Sequence, residues 1–255
     1  MRSLIFLFII LFITSASALT ANAKAPCKMI DDTTLSLHAE IEENLVDCMK
    51  SLNFSKLETV VLNSVGGNVE AAMTVGDMIA PYQPHMIIKE HCHSSCSNYW
   101  LPLARKITFS KKAYISIHGG FDSGILKLAL EREQENIDKI KIIVDLQANY
   151  IKRHNIPRGW VMYRTDYQHG KNGLKAFSPW LKGEFYRPKT QKKVIAKFFM
   201  VAKPMLDSCL PDIEIDGFEQ SYAGRADDKR WRKLAKKGHL STGTVACPAE
   251  TVSRQ

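Results

Sequence analysis

Hydrophobic and polar positions along the first half of the chain follow two different periods. Residues 57–63 (LETVVLN) and 85–89 (HMIIK) are apolar, β-branched runs of the kind that forms buried strands. Between them, apolar side chains recur on one helical face from Val69 to Ile79, and Pro81 ends the pattern. Strands that alternate with helices at this spacing predict an α/β fold.

Shorter elements are predicted on both sides of this unit. Residues 33–41 are typical of a strand, and residues 41–52 of a short amphipathic helix. After the second buried strand, residues 92–104 have a helical pattern in spite of Pro102, and short strands are predicted at 107–109 and 113–117.

The strongest helical pattern of the sequence covers residues 124–154, and Pro157 ends it. One stripe of this helix is largely apolar, and charged side chains occupy the other faces. Such a stripe either docks on a partner subunit or packs against its own domain, and the pattern allows both. The stripe consists of Ile137, Ile140, Val144, Gln147, Ala148 and Ile151.

Composition and charge narrow the class of protein. With 255 residues, 45% hydrophobic and 24% charged, the chain is of ordinary globular type, which excludes collagen-like, coiled-coil and wholly disordered proteins. The net charge of +9 excludes an acidic protein. Residues 24–181 are nearly neutral, whereas basic side chains concentrate at 182–203 and 225–238. We therefore predict a body over 24–181 and a basic C-terminal extension over 182–255.

The extension has two basic segments. Lysines and apolar residues are interspersed over 192–203, which predicts a basic amphipathic helix, and a second cluster follows at 229–237. Segments of this kind either contact an anionic membrane surface or pack their apolar side on the body and leave their charge in solvent.

The first 23 residues predict the compartment. Arg2 precedes an apolar run over 4–13, and small-x-small sites follow at 16–18 and 21–23. This is typical of a cleavable secretory signal peptide, and the run is short for a permanent membrane anchor. We expect a periplasmic or secreted protein, which argues against a nucleic-acid partner.

Six cysteines, all after this leader, predict disulfides in an exported chain. By proximity, we expect Cys27 to pair with Cys48, and Cys209 with Cys247.

Cys92 and Cys96 are one helical turn apart, which suggests either a third disulfide or two buried thiols. With His91 and His93 they also offer thiolate and imidazole ligands for zinc or copper. Because exported cysteines oxidise easily, the metal site is the weaker interpretation, and we predict neither a metal nor a cofactor.

Three turns carry the candidate chemistry. Residues 64–67 (SVGG) join a buried strand to a helix N-terminus, where paired glycines let a substrate approach free N–H groups. Residues 91–96 (HCHSSC) place serines at a second such junction, where an adjacent N–H could receive an oxyanion. His118 ends a strand before two glycines and could act as a general base. Each feature alone is also explained structurally: a tight turn, a helix cap and a structural histidine.

In this order the three segments resemble a known family. The run VVLNSVGGNVEAAMTVGDMI, a Cys-x-Ser-x-Cys that opens a helix, and KKAYISIHGG are similar to the proteolytic subunit of the Clp protease and, more broadly, to the Clp/crotonase superfamily. The similarity covers roughly residues 33–181 and is greatest to an exported branch that keeps the Cys-x-Ser-x-Cys segment. It implies a spiral of β-β-α units with a long protruding helix, beside which the basic C-terminal extension has no counterpart.

The resemblance also implies roles for individual residues. Ser94 would be the nucleophile and His118 the base, with the oxyanion held by the N–H groups of Gly67 and Ser95. Ser95 becomes the nucleophile if the alignment shifts by one residue. Asp166 would be the third member of the triad, although the sequence around it matches the family poorly.

These roles imply an exported serine hydrolase, peptidase-like, that acts on peptide or protein substrates through an acyl-enzyme. The helix over 124–154 corresponds to the segment that mediates ring stacking in the Clp protease, so it implies self-association. The second interpretation is a catalytically inactive scaffold that binds partners or membrane through this helix and the extension, and two departures from the family bear on the choice. Val65 replaces the family's proline, and bulky residues such as His93 and Tyr99 surround the serine.

Overall fold

The computed structural model of the chain describes residues 25–117, 119–121, 130, 136–161, 184–186, 193–195, 198–201, 203–225, 240–243 and 247. The predicted signal peptide therefore lies outside the described residues.

The described part is a mixed α/β fold, as the sequence predicts. Its strands are β1 (Cys27–Met29), β2 (Thr34–Leu37), β3 (Thr59–Ser64), β4 (His85–His93), β5 (Lys106–Phe109), β6 (Tyr114–Ile117), β7 (Glu184–Tyr186), β8 (Lys193–Ile195), β9 (Phe198–Val201), β10 (Glu214–Asp216) and β11 (Leu240–Gly243). Its helices are α1 (Glu43–Lys50), α2 (Val69–Ile79), α3 (Ser95–Tyr99), α4 (Ile137–Arg153), α5 (Arg158–Val161) and α6 (Lys203–Cys209), with 3₁₀ turns at Ala80–Tyr82 and Leu101–Leu103.

One sheet organises the fold, in the order β1-β2-β3-β4-β6-β9-β11, and β3 is parallel to both β2 and β4. Strand β4 is long enough to have two partners along one edge. Its first half pairs with β5, in register His85 with Lys106, and its second half pairs with β6, in register His93 with Ser116. Because of this switch, the carboxyl end of β4 lies beside β6.

Burial follows the period of each element. In β3 the buried positions alternate, with Val60, Leu62 and Ser64 inside. Helix α2 begins at a side-chain cap, in which Asn68 Oδ1 accepts the amide hydrogen of Ala71 at 3.0 Å. Its apolar face is buried in the hydrophobic core, which explains why the sequence pattern identifies it so clearly.

Helix α3 is shorter than predicted from the 92–104 pattern. Residues up to His93 continue β4, because the second half of that strand finds its partner in β6. At the other end, Pro102 lies at the start of a 3₁₀ turn instead of ending an α-helix.

Helix α4 packs against its own domain and buries Ile143, Gln147 and Tyr150, spaced four and three residues apart. This stripe differs from the predicted one, in which Val144 and Ala148 were central: Ala148 is exposed. Gln147 belongs to both stripes, and the buried one is centred on it because the Tyr150 hydroxyl also points inward and donates to the Tyr99 carbonyl at 2.8 Å. Self-association through residues 124–154 stays a prediction.

The prediction of a basic amphipathic helix over residues 192–203 of the extension is wrong. Strand β8, strand β9 and the start of α6 occupy that stretch. Its β-branched and aromatic residues suit a strand, and β9 finds a hydrogen-bonding partner in β6. Strands β9, β10 and β11 all belong to the main sheet, so position 182 is not a limit of that sheet.

Three disulfides join the pairs Cys27–Cys48, Cys92–Cys96 and Cys209–Cys247. Both pairs predicted by proximity are confirmed, and of the two alternatives for Cys92 and Cys96 the disulfide is the one observed. Three disulfides fit an oxidising compartment outside the cytosol. None of the helices in the described part of the chain combines the length and the apolar character that crossing a bilayer requires.

Candidate functional site

The glycine turn that follows β3 is held from both sides. Within it, the Ser64 hydroxyl accepts the amide hydrogen of Gly66 at 3.2 Å. The Gly66 carbonyl accepts from Ile41 N at 2.8 Å, and the Ile41 carbonyl accepts from Asn68 N at 2.7 Å. Gly66 and Gly67 have φ angles of 87° and 148°, which residues other than glycine rarely adopt. Glycine is therefore required at both positions of this turn.

Ser94 lies at the junction between β4 and α3, in a backbone conformation that is rare for a residue with a side chain. Its φ is 54° and its ψ is −126°. The Ser94 amide donates to the Ser116 carbonyl at 2.9 Å, and the Ser94 carbonyl accepts from the Asn98 amide at 2.8 Å and from the Ser97 hydroxyl at 3.0 Å. Strand β6 and the first turn of α3 thus both hold Ser94 in this conformation.

The glycine turn and the serine turn are in direct contact. The Ser95 hydroxyl donates to the Gly67 carbonyl at 2.8 Å. A Cβ added to Gly66 would lie 2.5 Å from the His93 carbonyl oxygen and 2.6 Å from Ser94 Cβ. The two predicted turns are therefore brought together. The Ser95 hydroxyl is thus engaged as a donor to the glycine turn.

Two main-chain N–H groups, those of Gly67 and Ser95, are the predicted donors to an oxyanion. Ser95 is the first residue of α3, where helical N–H groups lack partners within the helix. Among the described residues, no acceptor takes the amide hydrogen of Ser95 or of Gly67. The structure thus leaves both predicted donors available for a negatively charged oxygen.

His93 is a neighbour of Ser94 that the sequence suggested only as a metal ligand or a steric obstacle. Its ring stacks on His91, with centroids 5.1 Å apart, and lies 4.6 Å from the ring of Tyr114. His93 Nδ1 and the Ser116 hydroxyl share a hydrogen bond of 2.7 Å. Burial, together with the nearby His91, lowers the pKa of His93 to about 3. His93 is therefore uncharged at neutral pH and ties the serine turn to β6.

Strand β6 brings the chain past Ser94 directly before the predicted base. Ser116, whose carbonyl accepts from Ser94, is two positions before His118. His118 itself and Asp166 lie outside the described residues, so their roles stay predictions.

The segment that follows His118 is anchored to α4 by Gln147. The Gln147 amide side chain accepts from Phe121 N at 3.1 Å and donates to Phe121 O at 2.5 Å. Its oxygen also accepts from the hydroxyl of Tyr99, at 2.6 Å, on the helix that follows Ser94. Burial raises the pKa of the Tyr99 hydroxyl, which stays protonated and able to donate. The sequence signal for this contact was a glutamine within an apolar stripe.

Cys92 and Cys96 bracket the serine turn, and their disulfide removes both thiolates from the alternative metal site. In the described part of the chain, no group of three or more His, Cys, Asp or Glu side chains is placed to hold a metal ion.

Comparisons with known proteins add little to this geometry. No protein-family model matches the chain, and no curated protein does. Among solved structures, a point mutant of ClpP1 from Listeria monocytogenes is similar with a TM-score of 0.35 and 22% identity, over 48% of this chain and 74% of that chain. A likeness of this size supports no conclusion about activity, which therefore has to come from the site.

Proposed function

We propose that the chain is an exported serine hydrolase of peptidase type, with Ser94 as its nucleophile. One observation carries the proposal: Ser94 occupies a left-handed strand-to-helix turn, in contact with a glycine turn that leaves an N–H group available. A nucleophile held in this way, at a sharp turn next to a helix N-terminus, has main-chain donors for an oxyanion beside it.

The chemistry assigns one task to each group. Ser94 Oγ attacks the carbonyl carbon of a peptide bond while its proton passes to the His118 imidazole. The N–H groups of Gly67 and Ser95 donate to the oxygen that becomes negative. His118 then gives the proton to the leaving amine, and the C–N bond breaks to leave an acyl-enzyme on Ser94. Water, deprotonated by His118, hydrolyses this ester and restores the serine.

The register of β6 supports His118 as the base. Since the Ser94 amide bonds to the carbonyl of Ser116, the chain is next to the nucleophile two residues before the histidine. In our proposal Asp166 orients this imidazole. His93 is unsuited to the role of base, because a pKa near 3 makes its imidazole a weak proton acceptor.

Export is supported by the predicted leader over residues 1–23 and by the three disulfides. Substrates would be peptides or protein segments that reach the site without an unfolding partner. Val65 is 49% exposed beside the glycine turn, and an apolar side chain there suits contact with such a segment.

A fluorophosphonate probe tests the proposal, because it labels only serines activated for nucleophilic attack. The mature chain over 24–255 should be labelled, and Ser94→Ala should abolish labelling. Ser51→Ala is the control, since this hydroxyl follows α1, donates to the Cys48 carbonyl and has no bond to the serine turn, so its loss should leave the label in place. Labelling that persists in both Ser94→Ala and Ser95→Ala refutes the assignment.

A catalytically inactive scaffold is the second candidate function. It is favoured by the low exposure of Ser94, which is 8%, and by the tight contact between Gly66 and the serine turn. In that case the fold would serve binding, to a second copy through residues 124–154 or to anionic membrane through the basic segment over 229–237.

Charge substitutions test the membrane alternative better than truncation does, because residues 182–255 supply strands of the main sheet. Replacing the lysines and arginines of 229–237 with glutamine should abolish binding to phosphatidylglycerol vesicles if this segment is the contact. Binding that persists in the substituted chain would exclude it.

A further inference from the structure

We propose that the Cys92–Cys96 disulfide positions Ser94: it holds the serine turn in its reactive conformation, so that the hydrolase is active only when this bond is formed. The inference rests on the proposed function. It adds a positioning role for two residues that do not touch the reacting atoms.

The disulfide encloses the serine turn. It joins the end of β4 to the first turn of α3, with residues 93–95 between its two ends. The Cα atoms of Cys92 and Cys96 are 5.3 Å apart, and both residues are fully buried. The left-handed residue, Ser94, is the middle residue of this short covalent ring.

The backbone of Ser94 needs such a restraint. A backbone with φ of 54° and ψ of −126° is sparsely populated by residues other than glycine and costs about 1–3 kcal/mol. Hydrogen bonds to Ser116, Ser97 and Asn98 oppose relaxation, but each of them can exchange for a bond to water. If Ser94 relaxed, Ser95 would move with it, and its N–H group would leave its place beside the glycine turn, where a Cβ added to Gly66 would lie 3.1 Å from Ser95 N.

The size of the ring points to the same role. A disulfide stabilises a fold mainly by restricting the unfolded chain, and the effect grows with the length of the closed loop. The other two disulfides close sequence separations of 21 and 38 residues, whereas Cys92 and Cys96 are 4 apart. This bond therefore contributes least to overall stability, and a local positioning function fits it better.

The test compares two double variants of the mature chain. Cys92→Ala/Cys96→Ala removes the proposed clamp, and Cys27→Ala/Cys48→Ala is the matched control, because that disulfide lies outside the serine turn. For each variant, the rate of fluorophosphonate labelling and the thermal midpoint are measured. We expect the first variant to be labelled at least tenfold more slowly, with little change in thermal midpoint. The control should be labelled at the normal rate and have a lower thermal midpoint.

Amide hydrogen exchange keeps the test independent of activity. In Cys92→Ala/Cys96→Ala, the amides of Ser94 and Asn98 should exchange at least tenfold faster, while those of β3 should not change. Should the unmodified protein not be labelled at all, the proposed function fails, and faster exchange would still show that the disulfide holds the turn. Unchanged exchange and unchanged labelling in this variant would overturn the positioning role. If the alanine pair does not fold, Cys92→Val/Cys96→Ala fills the space of the sulfur atoms and is measured instead.

Discussion

Replacement of Gly66 by alanine is the sharpest single perturbation of the site. The added Cβ would lie 2.5 Å from the carbonyl oxygen of His93 and 2.6 Å from Ser94 Cβ, and φ at this position is 87°. Real Cβ contacts essentially never fall below 3.0 Å, so the serine turn has to move by about half an ångström. The left-handed backbone alone costs about 1–2 kcal/mol.

A displacement of this size has a large effect on catalysis and a moderate one on stability. Since a misplacement of about 1 Å can reduce a rate about a hundredfold, we expect fluorophosphonate labelling of Gly66→Ala to slow by about tenfold or more. The free energy of unfolding should fall by about 2–3 kcal/mol, measured by urea denaturation.

Gly217 provides the matched control for this experiment. Its φ is 69°, and a Cβ there would lie 2.5 Å from the carbonyl oxygen of Phe109, at a distance from the serine turn in sequence and at another edge of the sheet. Gly217→Ala should lose similar stability and keep its labelling rate. If both variants lose labelling equally, or if Gly66→Ala is labelled normally, then contact between the two turns does not control Ser94.

Three further predictions concern stability. The pKa of His93 is about 3 in the fold and 6.5 ordinarily, so between these pH values the unfolded chain binds a proton that the folded chain does not. The free energy of unfolding should therefore be highest above about pH 6.5 and should fall toward pH 3, by up to about 1.4 kcal/mol per pH unit. His93→Gln should flatten this slope when urea denaturation is measured across the pH range. Gly76→Ala should lower the free energy of unfolding by about 2 kcal/mol because the added Cβ meets the Tyr150 hydroxyl, and Tyr150→Phe in the same chain should restore part of this loss. If the effects of the two substitutions on the free energy of unfolding are strictly additive, the contact does not cause the loss. Replacing Cys209 and Cys247 with alanine should lower the free energy of unfolding by about 4 kcal/mol, given their separation of 38 residues, and an unchanged thermal midpoint would show that this bond does not restrain the chain.

The sequence was most informative where local periodicity determines structure. The alternation in β3 and the helical face of α2 have a clear period, so both elements and the glycine turn between them could be predicted. Helix α3 was predicted too long, because only the pairing of β4 with β6 decides where that strand ends. The segment over 192–203 was misjudged for the same reason: its lysines suggested a solvated helix, whereas its partner β6 is distant in sequence.

In the candidate site, too, the local motifs could be predicted from the sequence and the long-range contacts could not. Ser94, Ser95 and Gly67 could be proposed as candidates because each lies in a short motif between a strand and a helix. The links that support them could not be, since they join residues far apart in the chain: His93 to Ser116, and Gln147 to Phe121. Such contacts depend on the tertiary fold and leave no periodic signal.

The convergence of Ser94 and His118 is the central claim, and a crystal structure of the mature chain over 24–255 tests it most directly. The account predicts an imidazole nitrogen of His118 about 3 Å from Ser94 Oγ. A His118 ring directed away from the serine turn, with another side chain filling the space beside Ser94 Oγ, would contradict it.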